Sequence, residues 1–361
     1  MLRSIILVLV VLAISTHGYS CNNQTNIIDP PADLSQPQYY PSNWNGELPI
    51  PVVDNYQYCF LTVSIPTGYY AQVTFYRNIS FEGGTYVLYS NNQLTRITND
   101  VTQPFYFTFP YFKVSLQTDN HHDSPQFAFK IVYTQYHQVQ KNIIPISQGQ
   151  PPVAVLANDK LTVFSGVANS FMGLMAFSLP DDSQNYLLRQ SVVFGGDSFN
   201  SDFIGTLDFI SHSRQPITTY GNKIAVYTFG LSNIFNNTPL FMGQNGQDVR
   251  KYNKYRGANC PSTGNCTVFL DGTWGSSLTV TDYNGSEFIK GFNSFSDEGT
   301  INVYENMVSN TTRIASLTSA NYLQQLPLEV KGAMKFYEIN GYGKYEMVVT
   351  RDVSRASRIS H

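Results

Sequence analysis

Cys59-Phe60-Leu61-Thr62-Val63-Ser64-Ile65-Pro66-Thr67-Gly68 is the stretch on which the fold class turns. Leu61, Val63 and Ile65 fall on one face of an extended segment, and Thr62 and Ser64 fall on the other, because successive strand side chains alternate. Pro66-Thr67-Gly68 supplies a turn. Downstream, Ala71, Val73 and Phe75 alternate with Gln72, Thr74 and Tyr76. Phe105, Phe107 and Phe109 form a third such face, Phe112, Val114 and Leu116 a fourth, and Phe127, Phe129, Ile131 and Tyr133 a fifth. Strands with one apolar and one polar face, separated by turn residues, belong to antiparallel sandwiches. The predicted class is all-β.

Composition narrows the function. The 361 residues carry 22 Lys+Arg against 25 Asp+Glu, a net charge of −3, and only 13% are charged. That balance offers no positive field for a nucleic acid. Tyr, Phe and Trp make up 14% of the chain, which excludes a disordered polyampholyte.

The first 20 residues read as a signal peptide. Arg3 is the positive start, Ile5–Ile14 an apolar run too short to span a bilayer, and Gly18 and Ser20 small residues before a cut at Cys21. Nothing later reads as an integral membrane segment, so the expected location is extracellular. Four cysteines suit an oxidising compartment. Of the three possible connectivities, locality favours Cys21–Cys59 and Cys260–Cys266. Acceptor sequons stand at Asn23, Asn78, Asn236, Asn265, Asn284 and Asn310. Chance at this composition gives about five, so their number is no evidence of secretion.

Residues 138–152 are rich in Gln and Pro and end in Gln148-Gly149-Gln150-Pro151-Pro152, the pattern of a linker. Strands resume at Val192–Phe194, Phe203–Leu207, Lys223–Phe229, Cys266–Leu270, Ser277–Thr281, Thr300–Tyr304, Ala333–Ile339 and Tyr345–Thr350, with weak helical character over Ala315–Leu326. The expected organisation is therefore two tandem antiparallel β-sandwich domains, 21–137 and 153–349, followed by a flexible tail, 350–361.

The order of several motifs resembles a known family. An early cysteine, the Pro37–Pro41 turn, the Cys59–Gly68 stretch and Pro104-Phe105-Tyr106-Phe107-Thr108-Phe109-Pro110 are similar to the nematode CUB-like domain proteins. A fainter echo runs through Gly196-Asp197, Phe203-Ile204-Gly205 and Pro216–Val226. The resemblance implies jelly-roll sandwiches and secreted proteins of innate immune and stress responses; it implies no activity and no ligand. Calcium-binding CUB domains gather carboxylates at one loop end, whereas residues 77–83 offer a lone Glu82, so no metal site is carried over.

Catalytic chemistry is sparse. His121-His122-Asp123 sits in a turn, and His212 between Ser211 and Ser213 reads as a polar strand end. There is no Gly-x-Ser-x-Gly elbow, P-loop or dinucleotide fingerprint. The one charge feature is Arg250, Lys251, Lys254 and Arg256 interleaved with Tyr252 and Tyr255, a candidate contact for an anionic partner. The expected function is a non-catalytic recognition protein without cofactor, meeting an extracellular glycan, lipid or protein. The alternative is a secreted hydrolase whose site is assembled from distant residues.

Overall fold

The structure, a computed structural model, describes residues 18–21, 25–80, 83–90, 92–119, 124–136 and 139–352. Asn23, Glu82, the 121–123 cluster and the tail from 353 lie outside them.

Nine strands build the first sandwich: β1 (Thr25–Ile28), β2 (Gln38–Tyr40), β3 (Tyr58–Ser64), β4 (Tyr69–Asn78), β5 (Gly84–Leu88), β6 (Leu94–Arg96), β7 (Phe105–Thr108), β8 (Tyr111–Gln117) and β9 (Gln126–Gln135). A five-stranded front sheet runs β1-β3-β8-β5-β6 and a four-stranded back sheet β2-β9-β4-β7. The faces read from alternation are the faces observed. Leu61, Val63, Ala71, Val73, Phe112, Val114, Leu116, Phe127, Phe129 and Ile131 fill the core between the sheets, whereas Phe109 of the third run is exposed in a turn. The Pro66–Tyr69 turn closes through the Tyr69 amide on the Pro66 carbonyl at 3.1 Å. Gly68 takes φ +83° there, a conformation that disfavours any Cβ.

The region read as the second unit is double. One sandwich comprises β10 (Lys141–Pro145), β11 (Val153–Leu156), β12 (Leu161–Ser165), β13 (Met172–Ala176), β14 (Ser191–Gly195), β15 (Asp202–Gly205), β16 (Ile217–Thr218), β17 (Lys223–Thr228) and β18 (Pro239–Asn245). The next comprises β19 (Lys254–Ala258), β20 (Asn265–Asp271), β21 (Ser277–Asp282), β22 (Glu287–Ser294), β23 (Thr300–Glu305), β24 (Arg313–Leu317), β25 (Leu328–Val330), β26 (Met334–Asn340) and β27 (Lys344–Thr350). Their sheets run β10-β12-β17-β14-β15 with β11-β18-β13-β16, and β19-β21-β26-β23-β24 with β20-β27-β22-β25. Counted within each sandwich, all three share one plan: strands 1-3-8-5-6 in front and 2-9-4-7 behind. In each, strand 1 lies parallel to strand 3. The chain is a threefold structural repeat.

Three expectations change. Residues 138–152, read as a linker, contain β10, hydrogen-bonded along β12. Ala315–Leu326 is not a helix: Ala315–Leu317 ends β24, and only Tyr322–Gln325 is helical. The tail begins later than Thr350, because Thr350 closes β27 and the Arg351 side chain is buried against Glu287, 2.8 Å away.

The sandwiches stack. The back sheet of the second turns Met175, Phe177 and Met242 outward onto Leu278, Val280 and Phe336 of the third sandwich's front sheet. Leu161, Val163, Val192, Phe194 and Ala225 of the second front sheet meet Tyr70, Tyr106 and Tyr136 of the first sandwich. Tyr106 stacks on Phe229 at 4.5 Å, and Arg189 lies over the Phe105 ring at 4.0 Å. Layers come close within a sandwich too: a Cβ at Gly243 would stand 2.3 Å from the Phe164 ring.

At the N-terminal edge, Tyr19 is bonded into the first sandwich. The Tyr19 amide donates to the Val52 carbonyl at 2.9 Å, the Asp54 amide donates to the Tyr19 carbonyl at 3.0 Å, and the Tyr19 hydroxyl donates to the Phe127 carbonyl at 2.7 Å. Burial raises that phenol's pKa far above its ordinary value. Phe177→Ala at the second stacking contact should lower unfolding free energy in urea by about 3–5 kcal/mol, as large-to-small changes in packed cores do.

Candidate recognition surface

Among the described residues, stacking leaves the front sheet of the first sandwich uncovered. On β3, Tyr58 and Phe60 share the parity of Thr62 and point away from the core, 51% and 42% exposed. Their rings meet edge to face at 4.8 Å. Across the sheet, Phe60 pairs with Ser115 of β8, Ser115 with Tyr86 of β5, and Leu88 of β5 with the exposed Leu94 of β6. Gly84 and Ser115 are small and form the floor; the aromatic and leucine side chains form the walls. The groove encloses about 430 Å³, and Lys113, Ser115 and Gln117 give it polar contacts. A Cβ at Gly84 would reach 2.9 Å from the Tyr86 ring, so a larger residue there would displace that wall.

The same positions in the other two sandwiches explain why this face is unusual. Where β3 shows Tyr58 and Phe60, β12 has Leu161 and Val163, and β21 has Leu278 and Val280; all four are buried under the preceding sandwich. The groove is the member of a repeating set of contact faces that the described residues leave without a cover.

The basic-aromatic stretch does not form one patch. Arg250 caps the short helix Gly246–Val249 rather than lying in a loop, and Lys254 and Arg256 are on β19. Tyr252 and Tyr255 are buried in the contact between the second and third sandwiches. Lys251 pairs with Glu338 at 3.1 Å, and Lys254 pairs with Asp271. Arg256 faces a cleft beside His212 and Asn265, while Lys251 opens on a different one beside Asp248. His212 closes the helix Leu207–His212, which corrects its reading as a strand end.

A cluster of buried charge sits elsewhere, in the third sandwich. Glu338 accepts from the hydroxyls of Tyr252 at 2.9 Å and Tyr304 at 2.5 Å. Burial pushes its carboxyl up, but those hydroxyls and Lys251 hold it below the usual range. Glu287, fully buried, binds Arg351 and accepts from Thr281 at 2.6 Å. Lys335 donates to the Tyr283 carbonyl. These groups tie strands β21, β22, β23 and β26 to the residue that follows β27. Among the described residues no group of three or more His, Cys, Asp or Glu is placed to hold a metal ion. Asp197 pairs with Lys223 at 2.6 Å.

Both favoured disulfides are formed, with Cα–Cα distances of 5.9 Å for Cys21–Cys59 and 5.5 Å for Cys260–Cys266. Asn78, Asn236, Asn265, Asn284 and Asn310 are exposed. Among the described residues, no helix is long and apolar enough to cross a membrane.

Residues 16–137 match the profile of the CUB-like domain. The first sandwich is thus the part of the chain that is similar to a CUB-like domain. Residues 247–352, the third sandwich, match a domain of unknown function, DUF7591. No curated protein matches the chain. The chain is similar to the CUB1-EGF-CUB2 domains of rat MASP-1, at 10% identity over 61% of this chain and 100% of that one, with a TM-score of 0.24. It is also similar to the full extracellular region of zebrafish Gpr126/Adgrg6, at 10% identity over 93% of this chain and 53% of that one, with a TM-score of 0.26.

The buried cluster makes a pH prediction. Burial pulls the Lys335 ammonium down to about 8 from 10.5, with Glu287 opposing. A lysine whose folded-state pKa lies below its unfolded value sheds its proton on folding between the two, so its contribution to stability rises with pH across that window. Relative to a Lys335→Met variant, the parent should gain urea resistance from pH 8 to 10, by at most about 1.4 kcal/mol per pH unit. A difference independent of pH would refute the shift.

Proposed function

We propose that the chain is a secreted, non-catalytic recognition protein that meets a protein partner through the front sheet of its CUB-like sandwich. The observation that supports this most is the uncovered groove of Tyr58, Phe60, Tyr86 and Leu94, on a rigid sheet whose equivalents in the other two sandwiches are covered by protein. Aromatic side chains with polar rims are the usual anchors of such contacts. CUB-like domains are extracellular interaction modules, which agrees with the two disulfides. A protein surface is favoured over a glycan or a lipid because the walls are apolar on both sides of a small-residue floor, and that is how the internal contact faces are built. The defence and stress setting comes from the resemblance to nematode CUB-like proteins. Arg256, open to its cleft, stays a secondary contact in this reading, and the exposed sequons would be the glycosylation sites.

Cross-linking through Lys113 followed by mass spectrometry should yield protein adducts that Tyr58→Ser/Phe60→Ser removes. A glycan- or lipid-array signal removed by the same double change would overturn the partner class. Turnover of a substrate, abolished by one side-chain change, would overturn the non-catalytic reading.

A further inference from the structure

Arg214 and Trp274 meet on the seam between the second and third sandwiches. Trp274 is 56% exposed, and the Arg214 guanidinium lies 5.1 Å from the centre of its ring. Both line an open groove of about 670 Å³, within the range of about 300–1,000 Å³ common for ligand sites. The stretch Ser213–Thr218 forms the wall on the second sandwich, and Asn253 and Trp274 form the wall on the third.

Both walls are fixed. Trp274 stands on the turn from β20 to β21, where the Gly275 amide donates to the Gly272 carbonyl at 2.9 Å with Gly275 at φ +97°. The Thr273 amide donates to the Asp271 carboxylate at 3.0 Å, and the Asn253 side-chain amide donates to the Trp274 carbonyl at 2.7 Å. The Tyr255 amide of β19 donates to the Arg214 carbonyl at 3.2 Å, which fastens one wall to the other. The indole is therefore presented to water on a rigid support, the way a binding side chain is.

The chemistry of the lining selects a ligand. None of the lining residues is acidic, and Asp271, the acid of the Trp274 turn, is already paired with Lys254. Among the described residues Arg214 makes no ion pair, and the side chains of Gln215 and Thr218 make no hydrogen bond. A guanidinium without a carboxylate can grip an incoming one with two parallel N–H groups. A flat ring beside it suits the C–H face of a sugar, and free amide and hydroxyl groups suit sugar hydroxyls. We infer that the groove binds a carboxylated sugar, a sialic or uronic acid residue of a glycan. Its carboxylate lies on Arg214, its ring face on Trp274 and its hydroxyls on Gln215, Thr218 and Asn253. A protein anchor fits less well, because most lining side chains are polar, unlike the apolar walls of the first sandwich's groove. The site is separate from that groove and does not rest on it.

Saturation-transfer NMR titration of the full chain with methyl α-N-acetylneuraminate, methyl glucuronide, methyl glucoside and acetate tests the inference. One of the sugar acids should bind about tenfold more tightly than methyl glucoside, the worth of one charged hydrogen-bonded pair, and which one binds identifies the sugar. It should also change the tryptophan fluorescence, since the other tryptophan, Trp44, is buried in the first sandwich. Arg214→Gln should abolish the preference for acid over neutral sugar, and Trp274→Ala should abolish binding of both. Circular dichroism confirms folding, and Arg214→Met and Trp274→Leu replace any variant that fails. Tyr58→Ser/Phe60→Ser should bind the sugar as the parent does. Failure of both acids to bind, equal binding of acid and neutral sugar, acetate competing as well as the sugar acid, or unchanged binding in Trp274→Ala would overturn the inference. So would a protein captured by the parent and lost with Trp274→Ala while no sugar binds. If no sugar acid binds while Tyr58→Ser/Phe60→Ser still removes protein cross-links, this inference fails and the recognition reading stands.

Discussion

The burial of sheets on both faces is the constraint from which the rest of this molecule follows. A lone sandwich hides one face of each sheet and wets the other. Here the second sandwich has a neighbour on each side, and two of its strands are buried along their whole length. All five residues of Met172–Ala176 are buried, as are all seven of Pro239–Asn245. The composition follows from this geometry. A chain with so little wet sheet has little use for charge, and the 13% charged content is its signature. The aromatics follow too, since wide flat rings such as Tyr106 on Phe229 fill a sheet-to-sheet contact with large area and few rotatable bonds.

Where carboxylates enter the interior of the third sandwich, several donors hold each of them. Glu338 lies beneath the contact between the second and third sandwiches and is held by two tyrosine hydroxyls and a lysine. Glu287 and Arg351 form a pair inside the third sandwich, where losing either partner would strand the other. The basic-aromatic stretch that stands out in the sequence is the seam between two sandwiches. Its tyrosines are packing groups, and two of its cations are bound by carboxylates of the third sandwich, Lys251 by Glu338 and Lys254 by Asp271.

Legibility in the sequence tracked wetness. The strands around Leu61, Val73, Val114 and Phe129 could be read because one side of each is polar. Strands β12, β13 and β18 could not be read by period, because nothing along them alternates, and so two sandwiches merged into one expected unit. The threefold repeat was hidden for a related reason: strand order and pairing recur, while the residues at matching positions share only size and polarity. The exposed groove was within reach. Tyr58 and Phe60 carry the parity of Thr62 and Ser64, and two aromatics on a face assigned to solvent are an anomaly. Its cover elsewhere in the chain is visible only in three dimensions.

The strand order also constrains how the chain comes into being. In every repeat the second strand pairs with the ninth: Tyr40 with Phe129, Val155 with Phe241, Phe269 with Glu346. A ribosome delivers those partners far apart in time, so no back sheet can close until nearly the whole repeat has been synthesised. Such long-range pairing is slow, and the half-made back sheet is adhesive while it waits. Synthesis from the N-terminus eases the next step, since a finished back sheet is already in place when the following apolar front sheet emerges. Each sandwich thus acts as the template on which its successor condenses.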